Sequence, residues 1–306
     1  MAHMNSHRNL VAYSLKQALA FAVTIFLLTV PGIAQVNHDS NKGKPITGYA
    51  PVNGLRLYYE IYGQGRPLVL LHGSFMTINT AFGGIIPRLA ENRQVIAIDM
   101  QGHGRTADID RPFTFESMAE DIAALLKYIK VDSTDLLGYS LGGAVAMQVA
   151  IRHPQLIRKL IIVSAAYKFD GWTPETRAIF PQLAPAMFEG SPIKKEYDSL
   201  SPDPKHWSVL VEKLKQLISK PYDFSADKIR SIKSPALIIS GDGDGVLPEH
   251  SLEIFRLLGG RMMPEFSAAP KTQLAMFPGT SHIGVMMHTD WLLSMMEPFL
   301  SAPLSK

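Results

Sequence analysis

Five short runs are apolar at every position: Leu68-Val69-Leu70-Leu71, Val95-Ile96-Ala97-Ile98, Leu136-Leu137, Leu160-Ile161-Ile162-Val163 and Ala236-Leu237-Ile238-Ile239. A strand with no polar face must be buried on both sides, which is where a parallel sheet sandwiched by helices puts it. The stretches between these runs have apolar residues at helical spacing. They are Ile85 to Leu89, Phe115 to Ile129 (through Met118, Ile122, Leu125 and Leu126), Ala144 to Ile151, and Leu252 to Leu258. Strand and helix in this alternation predict an α/β fold with a mostly parallel sheet and helices on both faces. Leu55 to Ile61 instead alternates at period two and suits an edge or hairpin strand.

The alternation stops from Tyr167 to Ile232. Prolines at 174, 181, 185, 192, 202, 204 and 221 divide this stretch into short pieces such as Val209 to Ile218, and it is rich in aromatics, Trp172 among them. The sheet pattern resumes at once at Ala236, so the stretch reads as a helical cap inserted between two strands. The expected organisation is residues 1–34 as tag remnant and signal peptide, 35–47 as a loose polar leader, 48–166 and 233–306 as the two parts of the core, and 167–232 as the cap.

The signal-peptide expectation comes from Arg8 and Lys16 ahead of an apolar run from Ala18 to Val30. Pro31-Gly32-Ile33-Ala34 follows, with small residues placed for cleavage after Ala34. About 13 apolar residues fall short of the roughly 20 that span a bilayer. The expected location is therefore secreted or periplasmic, with no stable membrane anchor after cleavage. Formal net charge is +3, two of which are Arg8 and Lys16, so the rest is close to neutral and no nucleic-acid partner is expected. There is no cysteine, which excludes thiolate nucleophiles, disulfides and Cys-ligated zinc.

Four motifs carry chemistry. Gly138-Tyr139-Ser140-Leu141-Gly142 lies between a buried strand and a helical run, the context in which a strained turn lifts a nucleophilic serine off a sheet. Leu71-His72-Gly73-Ser74-Phe75 ends another buried strand. There the N–H of Ser74, with Phe75 as alternative, would join that of Leu141 as a two-donor oxyanion hole, and His72 would brace the turn. Asp242 and Asp244 lie in a glycine-rich loop after the strand Ala236 to Ile239 and compete for the acid role. Asp244 is the choice, and a calcium loop is rejected because Val246 stands where an oxygen ligand belongs. Phe277-Pro278-Gly279-Thr280-Ser281-His282 puts a histidine just past the last strand. The chain order Ser140, Asp244, His282 singles it out from the other nine histidines. Gly102-His103-Gly104-Arg105-Thr106-Ala107 matches a dinucleotide fingerprint in letters only, because Asp108 to Pro112 separate its glycines from the next helix, capped by Thr114.

Together these residues resemble the α/β-hydrolase superfamily from about Tyr49 to Phe299. Asp99 to Thr106 is similar to that family's loop after the fourth strand, and Gly241 to Pro248 to its acid loop. The resemblance implies an eight-stranded sheet, a cap over the site, no cofactor or metal, and acyl transfer to water. Serine at 140 departs from the aspartate nucleophile of dehalogenases and epoxide hydrolases, and Ser74-Phe75-Met76 departs from the Gly-Pro-rich run of aminopeptidases and C–C hydrolases. The segment from Leu257 to Ala275 is similar to an insertion in bacterial small-ester hydrolases, some acting on pyrethroids. The expectation is a serine carboxylesterase for hydrophobic small-molecule esters. Ser140, His282 and Asp244 would be catalytic, and Phe75, Met76, Tyr139, Trp172 and Met286 would line the substrate pocket. The rivals are a lactonase on the same three residues, for example for acyl-homoserine lactones, and a hydrolase-like ligand sensor.

Overall fold

The computed structural model describes residues 44–260 and 271–304. The expected signal peptide and most of the leader lie outside the described residues, as does the middle of the insertion-like segment after Gly260. Eight strands form one sheet: β1 (Ile46–Val52), β2 (Leu55–Tyr62), β3 (Arg66–Leu71), β4 (Arg93–Asp99), β5 (Thr134–Tyr139), β6 (Ile157–Val163), β7 (Ala236–Gly243) and β8 (Thr272–Ser281). Their order is β1-β2-β4-β3-β5-β6-β7-β8. β1 and β2 pair antiparallel, β2 meets β4 antiparallel, and every pairing from β4 to β8 is parallel.

The wholly apolar runs are the strands buried on both faces. Val69 and Leu71, Ile96 and Ile98, Leu160 and Ile162 join one core cluster, while Leu68 and Leu70, Val95 and Ala97, Ile161 and Val163 join the other. The period-two alternation of a strand splits each run between two apolar layers. The first layer is covered by α3 (Phe115–Tyr128), α4 (Leu141–Arg152) and α9 (Pro248–Leu257). The second is covered by α1 (Ile78–Phe82), α2 (Ile86–Leu89), α10 (Gly284–Met287) and α11 (Thr289–Ser301). As expected, Thr114 caps α3, its side chain accepting the Ser117 N–H.

β1 was not anticipated. Its partner register Ile46 to Val52 against Ile61 to Leu55 includes two residues of the expected leader, which is corrected to end before Ile46. Only Ala50 and Val52 of this strand are buried, too few for a hydrophobic pattern to stand out in the sequence.

Between β6 and β7 lie the short helices α5 (Pro174–Ile179), α6 (Pro192–Leu200), α7 (Trp207–Ile218) and α8 (Ala226–Ser231), with 3-10 turns among them. Pro174 and Pro192 take the first helical position of α5 and α6, where a missing N–H costs nothing, so the prolines set where each piece begins. Side-chain hydrogen bonds fasten the far side of the cap to the core. Lys213 Nζ on α7 donates to Asp108 Oδ2 at 2.6 Å and to the Ile109 and Arg111 carbonyls, and Thr77 Oγ1 donates to Glu196 Oε1 on α6 at 3.0 Å. α8 packs on α4 and α9, at the core end of the insertion.

Candidate active site

β5 delivers Ser140 at its carboxyl end, and α4 begins at the next residue. Ser140 has φ +52°, the left-handed region that an ordinary residue avoids. The turn is fixed from three sides: Ser140 N–H donates to Val163 O at 2.9 Å, Gly142 N–H to His72 O at 3.1 Å, and Gly143 N–H to Ser140 O at 2.9 Å. Both flanking glycines are sterically required. A Cβ on Gly138 would lie 2.1 Å from Gly142 O, and one on Gly142 would lie 2.1 Å from Leu71 O.

Three side chains from distant parts of the chain meet here. His282 Nε2 is 3.0 Å from Ser140 Oγ, and its Nδ1 is 2.7 Å from Asp244 Oδ1. Tyr139 O–H donates to the His282 carbonyl at 3.2 Å, and the Trp172 ring meets the imidazole edge to face at 5.5 Å. Asp244 stands in the loop after β7 with its side chain wholly buried. Burial alone would raise its pKa, but the neighbouring His282, the Ser164 hydroxyl and the Val246 N–H outweigh it and hold the carboxyl below the ordinary carboxylate value. Asp242, the competitor, is exposed and accepts the Thr280 N–H at 3.1 Å, a brace between the β7 and β8 ends. Glu253, the next carboxylate but one after Asp244 along the chain, is taken up by Tyr167, Lys168 and His250.

A cavity of about 420 Å³ opens onto Ser140 and His282. Ser74, Phe75, Met76, Tyr139, Leu141 and Trp172 line it, as the sequence predicts. Met286 does not, and this is a correction: α10 turns it into the apolar layer under the sheet, where it is buried beside Val285. The neighbouring Ile283 lines the cavity instead. Leu141 is the first residue of α4, so its N–H has no partner within the helix. Among the described residues the lining has no lysine, arginine, aspartate or glutamate.

Sequence reasoning missed two groups. The first is Ser164, buried, with φ +50°, whose Oγ–H donates to Asp244 Oδ2 while its N–H donates to Ile239 O on β7. No sequence signal marks it, because its role is a contact with a residue 80 positions away. The second is the cap wall of Thr176, Ile179, Phe180, Leu183, Phe188 and Tyr222, whose inward faces depend on how the proline-divided pieces pack. His72 has the bracing place expected for it, its Nδ1 2.8 Å from Gly73 O and its Nε2 accepting the Met100 N–H at 3.1 Å, which fixes the neutral tautomer. The fingerprint-like loop wraps a carboxylate rather than opening a helix. The Arg105 N–H donates to Asp99 Oδ2, and a Cβ on Gly104 would strike that carboxyl at 2.2 Å.

Comparison with known proteins bears on the fold. A family model described as alpha/beta hydrolase fold matches residues 66–200. An uncharacterized protein of Mycobacterium tuberculosis is 33% identical over 136 residues, 44% of this chain and 38% of that protein. The chain thus spans well under half the length of the first relatives it matches. A 2-hydroxy-6-oxo-2,4-heptadienoate hydrolase of Pseudomonas putida is 29% identical over 67% of this chain and 82% of its own. Among solved structures, the 2-hydroxy-6-oxo-6-phenylhexa-2,4-dienoate hydrolase of a Rhodococcus strain superposes with a TM-score of 0.70, at 19% identity, over 85% of this chain and all of that one. The chain has the α/β-hydrolase fold. Over residues 66–200 its sequence is similar to the alpha/beta-hydrolase family model, and its eight-stranded sheet has the same architecture.

Three buried histidines make stability depend on pH. Burial lowers His72 to about 3, His103 to about 4 and His250 to about 4, from an ordinary 6.5. The unfolded chain therefore binds more protons than the folded one as pH falls through 6.5, and folding free energy is lost down toward pH 4. Burial raises Asp99 to about 6, which works in the opposite direction, with the folded form taking up one proton. The net difference near pH 5.5 is roughly two protons, or about 2–3 kcal/mol per pH unit. Urea midpoints measured between pH 7 and 5 should fall steeply; a flat profile would contradict the buried, neutral assignment.

Proposed function

We propose that this chain is a serine hydrolase that cleaves neutral, apolar carboxylic esters through an acyl-enzyme on Ser140. The observation that carries the reading is the Ser140–His282–Asp244 hydrogen-bonded relay opening into a cavity whose described lining has no lysine, arginine, aspartate or glutamate. His282 Nε2 takes the Ser140 proton as Oγ attacks the carbonyl carbon. Asp244 keeps the imidazole oriented and stabilises its protonated form. The oxyanion is held by the N–H groups of Leu141 and Ser74, each of such donors supplying about 2.7–4 kcal/mol in the transition state. His282 then returns the proton to the leaving alcohol. Water repeats the sequence on the acyl-enzyme, releasing the acid and restoring the serine hydroxyl.

The two dienoate hydrolases similar to this chain act, by their names, on carboxylate anions. An anion brought into an apolar cavity without a cationic partner carries a desolvation cost of several kcal/mol. The lining offers no such partner, so esters and lactones without a charge fit it better. The run Ala18 to Val30 followed by Gly32 and Ala34 supports export and cleavage. N-terminal sequencing of protein recovered outside the cytoplasm should start at Gln35; an uncleaved Met start would refute cleavage after Ala34, and recovery only from the cytoplasm would refute export.

The deciding experiment pairs a panel of neutral esters, lactones and a dienoate with labelling by a fluorophosphonate. Ser140→Ala should abolish labelling and lower ester kcat by about four orders of magnitude or more. Full turnover by this variant would disprove the mechanism. Ser164→Ala should lower kcat about tenfold with little change in KM, because a buried carboxylate oxygen loses a charge-assisted hydrogen bond. Partial recovery in Ser164→Thr would tie the loss to the hydroxyl.

A further inference from the structure

Behind the active-site cavity lies a second one of about 450 Å³, at the seam between cap and core. Its walls are mixed where those of the first are apolar, with Glu116, Lys213, Gln216 and Lys220 beside Phe113, Leu217 and Phe224. Two residues line both cavities, Phe115 and Tyr222. Their ring centroids are 4.8 Å apart, and Phe224 packs on the pair at 5.3 and 5.5 Å. Between the apolar chamber that holds Ser140 and the partly polar cleft, the partition formed by these two rings is therefore a single side chain thick.

We propose that Phe115, backed by Tyr222, is a specificity-determining residue that sets the longest ester chain this site accepts, and that the cleft behind it is a second chamber closed only by these rings. The proposal rests on the ester-hydrolase reading and names its substrate class: short- to medium-chain neutral esters that end at the aromatic wall. The two wall residues are held differently. Tyr222 is tethered, its hydroxyl accepting the Trp172 Nε1–H at 2.9 Å and donating to the Ala166 carbonyl at 3.3 Å. Phe115 has no polar tether; it is the first residue of α3, and its ring is held by packing alone. Shortening its side chain removes the wall without breaking a hydrogen bond. It would join an apolar chamber to one whose polar rim stays near solvent. Each methylene of a substrate that finds apolar surface there gains about fourfold in binding.

The test uses the full chain and compares p-nitrophenyl butyrate with p-nitrophenyl dodecanoate. In Phe115→Ala the ratio of dodecanoate to butyrate kcat/KM should rise at least about tenfold over wild type, with Phe115→Leu in between. A ratio that stays at the wild-type value in both variants overturns the proposal. Because the readout is a ratio, a general loss of activity in either variant cancels. Calorimetric titration with the uncharged 1-dodecanol and 1-butanol reads the same preference without turnover. If the wild-type chain cleaves no ester, the hydrolase reading fails, while the change in this binding ratio still decides whether Phe115 is the wall.

Discussion

The active centre depends on one backbone constraint, a serine held in left-handed geometry between the end of β5 and the first turn of α4. Such a conformation costs about 1–3 kcal/mol in a non-glycine residue, so the surroundings must over-determine it. They do so through the Ser140 N–H on Val163 O and the Gly142 N–H on His72 O, which tie the turn to the strands on either side, β6 and β3. The same contacts leave no room for a Cβ at 138 or 142. Because the Gly142 N–H is held by His72, the loop that carries Ser74 and the turn that carries Ser140 move as one body. The position of Ser140 and the position of the Ser74 loop are thereby tied together.

A similar device holds the acid. Ser164, left-handed at the end of β6, reaches across to β7 with its N–H and to Asp244 with its hydroxyl. The first cap segment is strapped to the acid loop as well, Thr173 N–H donating to Gly245 O and Leu247 N–H to Gly171 O. Asp244 is therefore positioned by the sheet on one side and by the cap on the other. The Trp172 ring that this strap fixes also rests on His282. Cap and catalytic residues are thus coupled by short hydrogen bonds, while the far side of the cap is held by Lys213 and Glu196.

The fold was legible because buried strands and amphipathic helices differ in period, and period survives in the bare sequence. The strand runs at 68, 95, 136, 160 and 236 all became strands of the sheet, and Ser140, Asp244 and His282 met as their loop positions implied. Three things were less legible. β1 buries two residues, which gives no period to detect. Met286 was assigned by closeness in sequence to His282, but the helical turn starting at Gly284 rotates it into the core and leaves Ile283 at the cavity. Ser164 carries no motif, since its role is a contact across 80 residues of chain.

Composition predicted an apolar cap, and the aromatics of 167–232 do form much of the cavity wall, but composition says nothing about partition. Phe115 lies outside the cap, at the first position of a core helix, and becomes a wall only because Tyr222 from the cap packs on it. Charged groups near the site follow the same logic of arrangement. Lys213 faces the rear cleft and is neutralised by Asp108, while the described residues that line the chamber in front include no lysine, arginine, aspartate or glutamate. A dipole aimed at a bound molecule acts more strongly against apolar walls than in open water. By keeping Glu116, Lys213 and Lys220 out of the chamber that holds Ser140, the aromatic partition bears on the electrostatics of that chamber as well as on its size.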